Sequence, residues 1–150
     1  MSEPSARRPG FQGYGVPEDR DGLLPWGWAE ERLVGAHNYW LATAGPHASP
    51  VWALWRDGGL VFSCSPRSRK ARAIGADPRV VVHLESGAEV VIVEGEAEQI
   101  EATPEILAEY ERKYGWRADP NEGWYRVGVR RVLAWREADF PRSTTRFDLG

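Results

Sequence analysis

Four cations within six positions form the part of this sequence best suited to chemistry. They lie in "SPRSRKARA", residues 65–73, and are Arg67, Arg69, Lys70 and Arg72. Ser65 as N-cap and Pro66 as first helical residue predict a helix over 65–76. Cations in a first helical turn are unfavourable, because the macrodipole already places positive charge there. The pattern therefore indicates either a site that binds an anion or a solvated basic face.

The residues around this predicted helix fit a phosphate better than other chemistry. Hydroxyls of Ser65 and Ser68 and free backbone N–H groups would bind one together with the cations. The sequence has neither GxxxxGK[ST] nor GxGxxG, which argues against a P-loop or Rossmann site. Cys64 precedes the cations, so we expect its pKa to be lowered. No spacing of the three histidines predicts a metal site or a Cys-His nucleophile.

Composition limits the class of protein. A chain of 150 residues fits one domain, and a net charge of -3 with a pI near 5.7 argues against a general nucleic-acid binder. Nucleic-acid binding through the basic cluster alone would be strongly salt-dependent. One cysteine and no long apolar segment predict a cytoplasmic protein without a membrane partner. Eight tryptophans indicate a core, an interface or a flat aromatic ligand.

The elements that would position the basic cluster are mostly strands. Residues 1–22 are rich in Gly, Pro and charge and predict a flexible arm, which leaves 23–150 as the folded domain. Predicted helices cover 26–35, 65–76 and 103–115, and predicted strands cover 38–45, 49–56, 60–64, 79–85, 89–100 and 125–135. About six antiparallel strands with peripheral helices indicate a mainly β fold, a small β-barrel.

Four local signals refine this prediction. Asp57-Gly58 between two apolar runs predicts a hairpin, and Gly95 inside a strand predicts a bulge. In the last strand the apolar residues Val127, Val129, Leu133 and Trp135 all have odd numbers, which predicts that their side chains lie on one face of the strand. The 103–115 helix has Thr103 as its cap and cations in its last turn, so it follows the dipole rule that the basic helix breaks.

One segment resembles a known family. "VFSCSPRSRKARAIGADPRVVVHLE", residues 61–85, is similar to the flavin-binding segment of the pyridoxamine 5′-phosphate oxidase-like split-barrel family. The flanking "PHASPVWALW" (46–55) and "VVIVEGEAE" (90–98) fall where that family has its neighbouring strands. The resemblance covers about residues 35–100, and the spacing of SRK and DPRV is its most specific part.

The resemblance implies an antiparallel FMN-binding split barrel, with FMN or the deazaflavin coenzyme F420 bound at a homodimer interface. Position by position, it implies that Ser68, Arg69 and Lys70 hold the cofactor phosphate. It implies that Pro50, Val51 and Trp52 give backbone contacts to the ring edge. Ser63 and Cys64 fall where the family places an aromatic residue and a threonine that bind the cofactor. This departure leaves both cofactors open.

The function that the resemblance implies is hydride transfer between the cofactor and a small conjugated substrate. The C-terminal "RSTTRFDLG" lacks the Arg-x-His clamp of the vitamin B6 oxidases, so we expect an oxidoreductase other than pyridoxamine 5′-phosphate oxidase itself. The alternative is a non-catalytic module that binds or stores a flavin, haem or similar group. Candidates to line the substrate opening are Trp116, Trp124, Trp135 and Arg146.

Overall fold

The computed structural model describes residues 3–150, and this part of the chain forms one nine-stranded sheet with three α-helices. The strands are β1 Ser5–Arg7, β2 Tyr39–Thr43, β3 His47–Val51, β4 Ala53–Arg56, β5 Gly59–Cys64, β6 Arg79–His83, β7 Glu89–Ile100, β8 Gly123–Arg136 and β9 Thr145–Asp148. The helices are α1 Trp26–Gly35, α2 Arg69–Ala76 and α3 Pro104–Tyr114. The predicted mainly β antiparallel fold is confirmed.

The number of strands differs from the predicted six for two reasons. The predicted strand over 49–56 divides at Trp52, so that β3 pairs with β2 while β4 pairs with β5. The short strands β1 and β9 pair with each other, and β9 also pairs with β8. Segments of three and four residues carry too little alternation to be recognised in sequence.

The sheet curls without closing. Its strands follow the order β1-β9-β8-β7-β6-β2-β3, and β5 leaves this path to pair with both β4 and β8. Within residues 3–150, β3 has a ladder only with β2, so its other edge lacks a strand partner. An unpaired edge exposes backbone N–H and C=O groups that a ligand can use.

The two predicted turn features are both present. Asp57 and Gly58 have φ of 50° and 70° in the two-residue connection between β4 and β5, as a hairpin turn of this type requires. At Gly95 the register between β7 and β8 shifts, because Arg130 has no partner between the pairs Gly95–Val129 and Glu94–Arg131. The predicted bulge is confirmed, and the extra residue lies on β8.

The bulge explains why one prediction for β8 was wrong. Val127 and Val129 are buried as predicted, but beyond Arg130 the positions with no exposed surface are Val132 and Ala134, while Leu133 is 9% exposed. One extra residue reverses the alternation of side chains along a strand. Leu133 and Trp135 therefore belong to the opposite face from Val127.

The main core lies between the inner face of the sheet and helices α1 and α2. Helix α1 buries Trp26, Ala29 and Leu33, as its spacing predicts. A second, smaller cluster lies beneath α3, and its members are Leu54, Val61, Ile106, Ala118 and Trp124. Helix α3 begins after the Thr103 cap and ends at Gly115 in the left-handed region, also as predicted.

Parts of the segment for which the sequence predicts a flexible arm contact the domain, and Met1 and Ser2 lie outside the described residues. The Arg8 guanidinium donates to the backbone carbonyls of Asp19, Asp21, Arg142 and Thr144 at 2.6–2.8 Å. Phe11 packs edge-to-face on Trp135 at 5.9 Å. One arginine thus joins two distant parts of the chain, an arrangement that composition does not reveal.

No helix in residues 3–150 has both the length and the apolar character needed to cross a bilayer.

Candidate functional site

The basic helix α2 begins three residues later than its sequence predicts. Ser65 Oγ accepts the N–H of Arg67, and the Ser65 carbonyl accepts the N–H of Ser68, which forms a separate turn. Ser68 is the N-cap, and its hydroxyl oxygen accepts the N–H of Ala71 at 3.2 Å. The prediction of Ser65 as cap and Pro66 as first residue was therefore wrong, because the Ser-Pro turn ends before the helix begins.

The later start brings cations to the very first helical positions. Arg69 and Lys70 are the first two residues of α2, and its first turn contains no acidic residue. Helix geometry leaves their N–H groups without an intrahelical acceptor. Helix dipole, free donors and two cations therefore coincide at one point, which favours a bound anion.

The cations of this cluster are not neutralised by the chain. No carboxylate in residues 3–150 forms an ion pair with the four cations of segment 65–73. Arg69 reaches only the Pro46 carbonyl at 3.4 Å, and Arg72 donates to the Arg67 carbonyl at 2.7 Å. Elsewhere the chain pairs Arg32, Arg56 and Arg136 with carboxylates. The contrast favours the anion site over a solvated face.

Ser63 and Cys64 end strand β5 immediately before this cluster. Ser63 is half-buried and Cys64 is 8% exposed. Burial raises the pKa of the Cys64 thiol, although a hydrogen bond with Ser68 and the charge of Lys70 act in the opposite direction. The expected lowering is therefore wrong, because loss of solvent outweighs the nearby cation. Cys64 is suited to packing or to a neutral hydrogen bond, not to nucleophilic attack.

Pro50, Val51 and Trp52 lie at the end of β3 and the break before β4. Pro50 is exposed, Val51 is buried, and Trp52 is half-buried and stacked on Tyr114 at 4.6 Å. The pairing of Ala53 with Phe62 puts Trp52 next to Ser63 in register. The Arg69 contact with Pro46 brings the turn before β3 to the start of α2. The eight predicted residues thus lie on adjoining elements.

The start of α2 lies at the surface of the chain. Arg69 is exposed, and Ser68 and Lys70 are half-buried. Two sizeable cavities lie elsewhere, one of about 520 Å³ beside Thr43 and Val81 and one of about 690 Å³ above Trp26. The basic cluster is an open surface that a second molecule could cover.

The outer face of the sheet carries an apolar row across four strands. Trp40, His83, Ile92 and Leu133 are paired in register from β2 to β8. The Trp40 and His83 rings lie parallel, 6.4 Å apart. Trp40, His83 and Ile92 are only half-buried in one chain, which is a feature of surfaces that bind partners.

The residues predicted to line a substrate opening are dispersed. Trp116 is 67% exposed, whereas Trp124 is 2% exposed and belongs to the cluster beneath α3. Trp135 packs between Phe11 and Phe140, and Arg146 donates to Asp148. Trp124 therefore has a core role, and the other three are not brought together.

Sequence reasoning missed two residues beside Trp52. Lys113 and Tyr114, in the last turn of α3, contact the backbone of Ala53. In sequence they look like a dipole-complementing cation and a residue of an apolar helix face. Only the packing of α3 against the β3–β4 break reveals the contact.

Comparison of the structure with solved structures gives neighbours of the same fold. An F420 reductase shares 18% identity at a TM-score of 0.60, with 73% of this chain and 98% of the other covered. An FAD-binding protein from Mesorhizobium loti shares 18% identity at 0.58, with 82% and 94% covered. A heme binding protein from Mycobacterium smegmatis shares 21% identity at 0.53, with 75% and 55% covered.

The sequence itself identifies the family. A search of curated proteins found no significant match. The model of the family described as Pyridoxamine 5'-phosphate oxidase matches residues 29–136, which include strands β2–β8, all three helices except the start of α1, and the basic cluster. This match covers well over half of the chain and agrees with the fold of the neighbours. The chain belongs to the pyridoxamine 5′-phosphate oxidase family.

Proposed function

We propose that this protein binds a flavin-type cofactor, FMN or coenzyme F420, and uses it to transfer hydride to or from a small conjugated substrate. The observation that carries the proposal is the unpaired cationic start of α2, within the segment that matches the family. A flavin-type cofactor carries a phosphate, which is the anion that this cluster would hold. The neighbours named as an F420 reductase and an FAD-binding protein support the cofactor class.

The residues present fit the phosphate of such a cofactor. Arg69 and Lys70 supply positive charge, and their backbone N–H groups are free to donate. The Ser68 hydroxyl oxygen accepts from Ala71, and its O–H can donate either to the Cys64 sulfur or to a phosphate oxygen. In our proposal these three residues bind the phosphate and Arg67 supplies longer-range attraction.

The ring would lie along the elements that adjoin this helix start. The free edge of β3 can offer the backbone groups of either Pro50 or Val51, because consecutive residues of a strand direct these groups to opposite edges; Pro50 has no N–H and can only accept. Trp52 follows them, and Ser63 and Cys64 lie at the end of the neighbouring strand β5. A neutral Cys64 thiol and the Ser63 hydroxyl would be weak polar contacts there.

The proposed hydride transfer requires little acid–base chemistry from the side chains of the protein. Bound flavin or deazaflavin carries the hydride, and the protein contributes binding, orientation and exclusion of solvent. The proposed site contains cations, hydroxyls, a neutral thiol and an indole, and no carboxylate among its eight residues. This composition is suited to holding an anionic cofactor without competing for its proton or hydride.

A homodimer would complete the site. The start of α2 is open in one chain, and Trp40, His83 and Ile92 of the row that ends at Leu133 are half-exposed. Covering both by a second copy would bury the row and enclose the cofactor. We propose this arrangement for a protein working in the cytoplasm, where the unpaired Cys64 thiol is stable.

Titration of the purified protein with FMN, riboflavin and F420 tests the proposal. FMN or F420 should bind, and FMN should bind more tightly than riboflavin, which lacks the phosphate. Equal affinity for FMN and riboflavin would contradict the proposal that the start of α2 binds the phosphate. Binding of neither FMN nor F420 would overturn the cofactor assignment.

The second candidate function is a binding module without turnover, favoured by the similar fold of the heme binding protein. Haem is therefore included in the titration. Exclusive binding of haem would support the module. Oxidation of the bound, reduced FMN or F420 by a small conjugated acceptor, followed by absorbance without oxygen, would support the enzyme.

A further inference from the structure

The last turn of α3 contacts the backbone of Ala53, the first residue of β4, immediately after the point where the chain leaves its ladder with β2. Between β3 and β4 the chain changes from pairing with β2 to pairing with β5, and Trp52 belongs to neither ladder. The Tyr114 hydroxyl oxygen accepts the N–H of Ala53 at 2.9 Å. Its O–H lies 2.9 Å from the carbonyls of Ala53 and His37, and it can donate to either.

Lys113 adds a charged contact at the same point. Its Nζ donates to the Ala53 carbonyl at 3.0 Å and to the Tyr39 hydroxyl at 2.8 Å. The Tyr39 hydroxyl in turn donates to the Leu33 carbonyl at the end of α1. One ammonium group thus connects α3, β2 and β4, and through Tyr39 reaches α1.

These contacts also fix the Trp52 side chain. Its ring is parallel to that of Tyr114, with 4.6 Å between centroids and 7° between planes. His37 packs against both rings, at 5.7 Å from Trp52 and 5.2 Å from Tyr114. Movement of the α3 end would therefore move the indole and the Ala53 backbone together.

We infer that Lys113 and Tyr114 are positioning residues that fix the Pro50–Trp52 segment for the cofactor ring, and that the charge on Lys113 controls how firmly they do so. The inference rests on the proposed function, because it needs a cofactor beside this segment. Neither residue lies in segment 65–73, so their action is separable from binding of the phosphate.

The surroundings of Lys113 make its charge responsive to pH. Burial lowers its pKa to about 8, while Glu109 acts to raise it. The charged and titratable groups around it are Glu109, Arg112 and Tyr114 of α3, Tyr39 of β2, Arg56 of β4, which pairs with Glu109, and His37, which packs on Tyr114. A neutral amine keeps two N–H donors, but hydrogen bonds without charge are roughly half as strong.

The test compares Lys113→Met, Lys113→Arg and Tyr114→Phe with Arg112→Met, a matched change at the exposed neighbouring cation. Affinity for FMN and F420 is measured at pH 7 and pH 9, with thermal melts to show that each variant is folded. Wild-type affinity should fall about fivefold from pH 7 to pH 9, the effect of weakening charge-assisted contacts. Arg112→Met should behave like wild type.

Lys113→Met, which keeps no N–H donor, should bind at pH 7 no more tightly than wild type does at pH 9 and should show no further fall attributable to Lys113. Lys113→Arg keeps its charge and should lose less affinity at pH 9 than wild type, and Tyr114→Phe should weaken binding at both pH values. Wild-type affinities and pH profiles in both Lys113→Met and Tyr114→Phe would overturn the inference. That result differs from failure of the proposed function, in which wild type binds neither cofactor.

Discussion

Arg69 is the residue whose removal should separate the two interpretations of the basic cluster. It is the first residue of α2, and no carboxylate in the described part of the chain pairs with it. Arg69→Ala should weaken FMN binding by about 1–3 kcal/mol, the range for hydrogen bonds to charged groups. Riboflavin affinity should not change, because riboflavin has no phosphate for Arg69 to contact.

Arg117→Ala is the control, since Arg117 is also an exposed arginine but lies in the loop after α3. It should leave affinity for both ligands unchanged. Equal effects of Arg69→Ala on FMN and riboflavin would mean that the residue acts on the fold and not on the phosphate. Unchanged FMN affinity in both Arg69→Ala and Lys70→Ala would show that the cluster is a solvated basic face and not an anion site.

Gly95 is a residue at which one added methyl group should strain the sheet. A Cβ there would collide with the Gly128 carbonyl oxygen and lie 3.0 Å from the Val127 side chain. Gly95→Ala should lower the free energy of unfolding by about 1–3 kcal/mol, the cost of overpacking. In Gly75→Ala the new Cβ meets open space within α2, so this variant should gain about 0.5–1 kcal/mol. Urea denaturation of both variants measures the opposite signs.

Lys113 should also affect the pH dependence of the free energy of unfolding. Its folded-state pKa of about 8 lies below the usual 10.5, so the unfolded chain holds more of this proton between those values. Stability contributed by this group therefore rises with pH from about 8 to 10.5. Lys113→Met should remove that rise, seen as the difference between the wild-type and variant free energies of unfolding at pH 7 and pH 9.5. Identical pH dependence in the two proteins would contradict this assignment.

At the scale of elements, the two capped helices offer a matched comparison. Ser68 caps α2 and Thr103 caps α3, each by accepting the N–H three residues later at 3.2 Å. Ser68→Ala and Thr103→Ala should each lower the free energy of unfolding by about 0.5–2 kcal/mol. Only Ser68→Ala should also lower FMN affinity. Loss of affinity in Thr103→Ala as well would show that helix stability alone controls binding.

How far the sequence predicts these elements depends on whether the signal is local. The apolar spacing of α1, the cap and apolar spacing of α3, the Asp57-Gly58 hairpin and the bulge at Gly95 follow from residues within a few positions. The prediction of the first residue of α2 is wrong because Ser65 and Ser68 are both good caps, and the separate turn formed by Ser65 leaves Ser68 as the cap. The residue types alone do not distinguish Ser65 from Ser68 as the N-cap.

Nonlocal contacts account for the other differences. The reversed parity of Leu133 results from an extra residue on β8 that is defined only by its pairing with β7. The contacts of the segment before residue 22 include hydrogen bonds from Arg8 to carbonyls more than 130 residues away. The raised pKa of Cys64 depends on burial, which outweighs the adjacent cation visible in sequence. The contacts of Lys113 with Tyr39 and Ala53 likewise join distant segments.

At the scale of the whole molecule, the apolar row on the outer sheet face predicts a dimer. Light scattering should give twice the chain mass of 16.9 kDa. Ile92→Lys puts a charge in the middle of the row, at a half-buried position that a single chain tolerates, and should produce a folded monomer with weakened FMN binding. Glu98→Lys, at an exposed position further along β7, is the control and should remain a dimer. A monomer mass for wild type, with and without FMN, would contradict the proposed interface.

The burial of Cys64 has a practical consequence for following motion at the site. It is the single thiol of the chain, lies 8% exposed at the junction of β5 and α2, and contacts Ser68. A thiol reagent can reach it only when this junction opens, so the labelling rate reports the local opening equilibrium without any engineered probe. A ligand held by the start of α2 should slow that rate in proportion to its occupancy. The labelling rate of Cys64 in the native chain thus measures how often the candidate cofactor site opens.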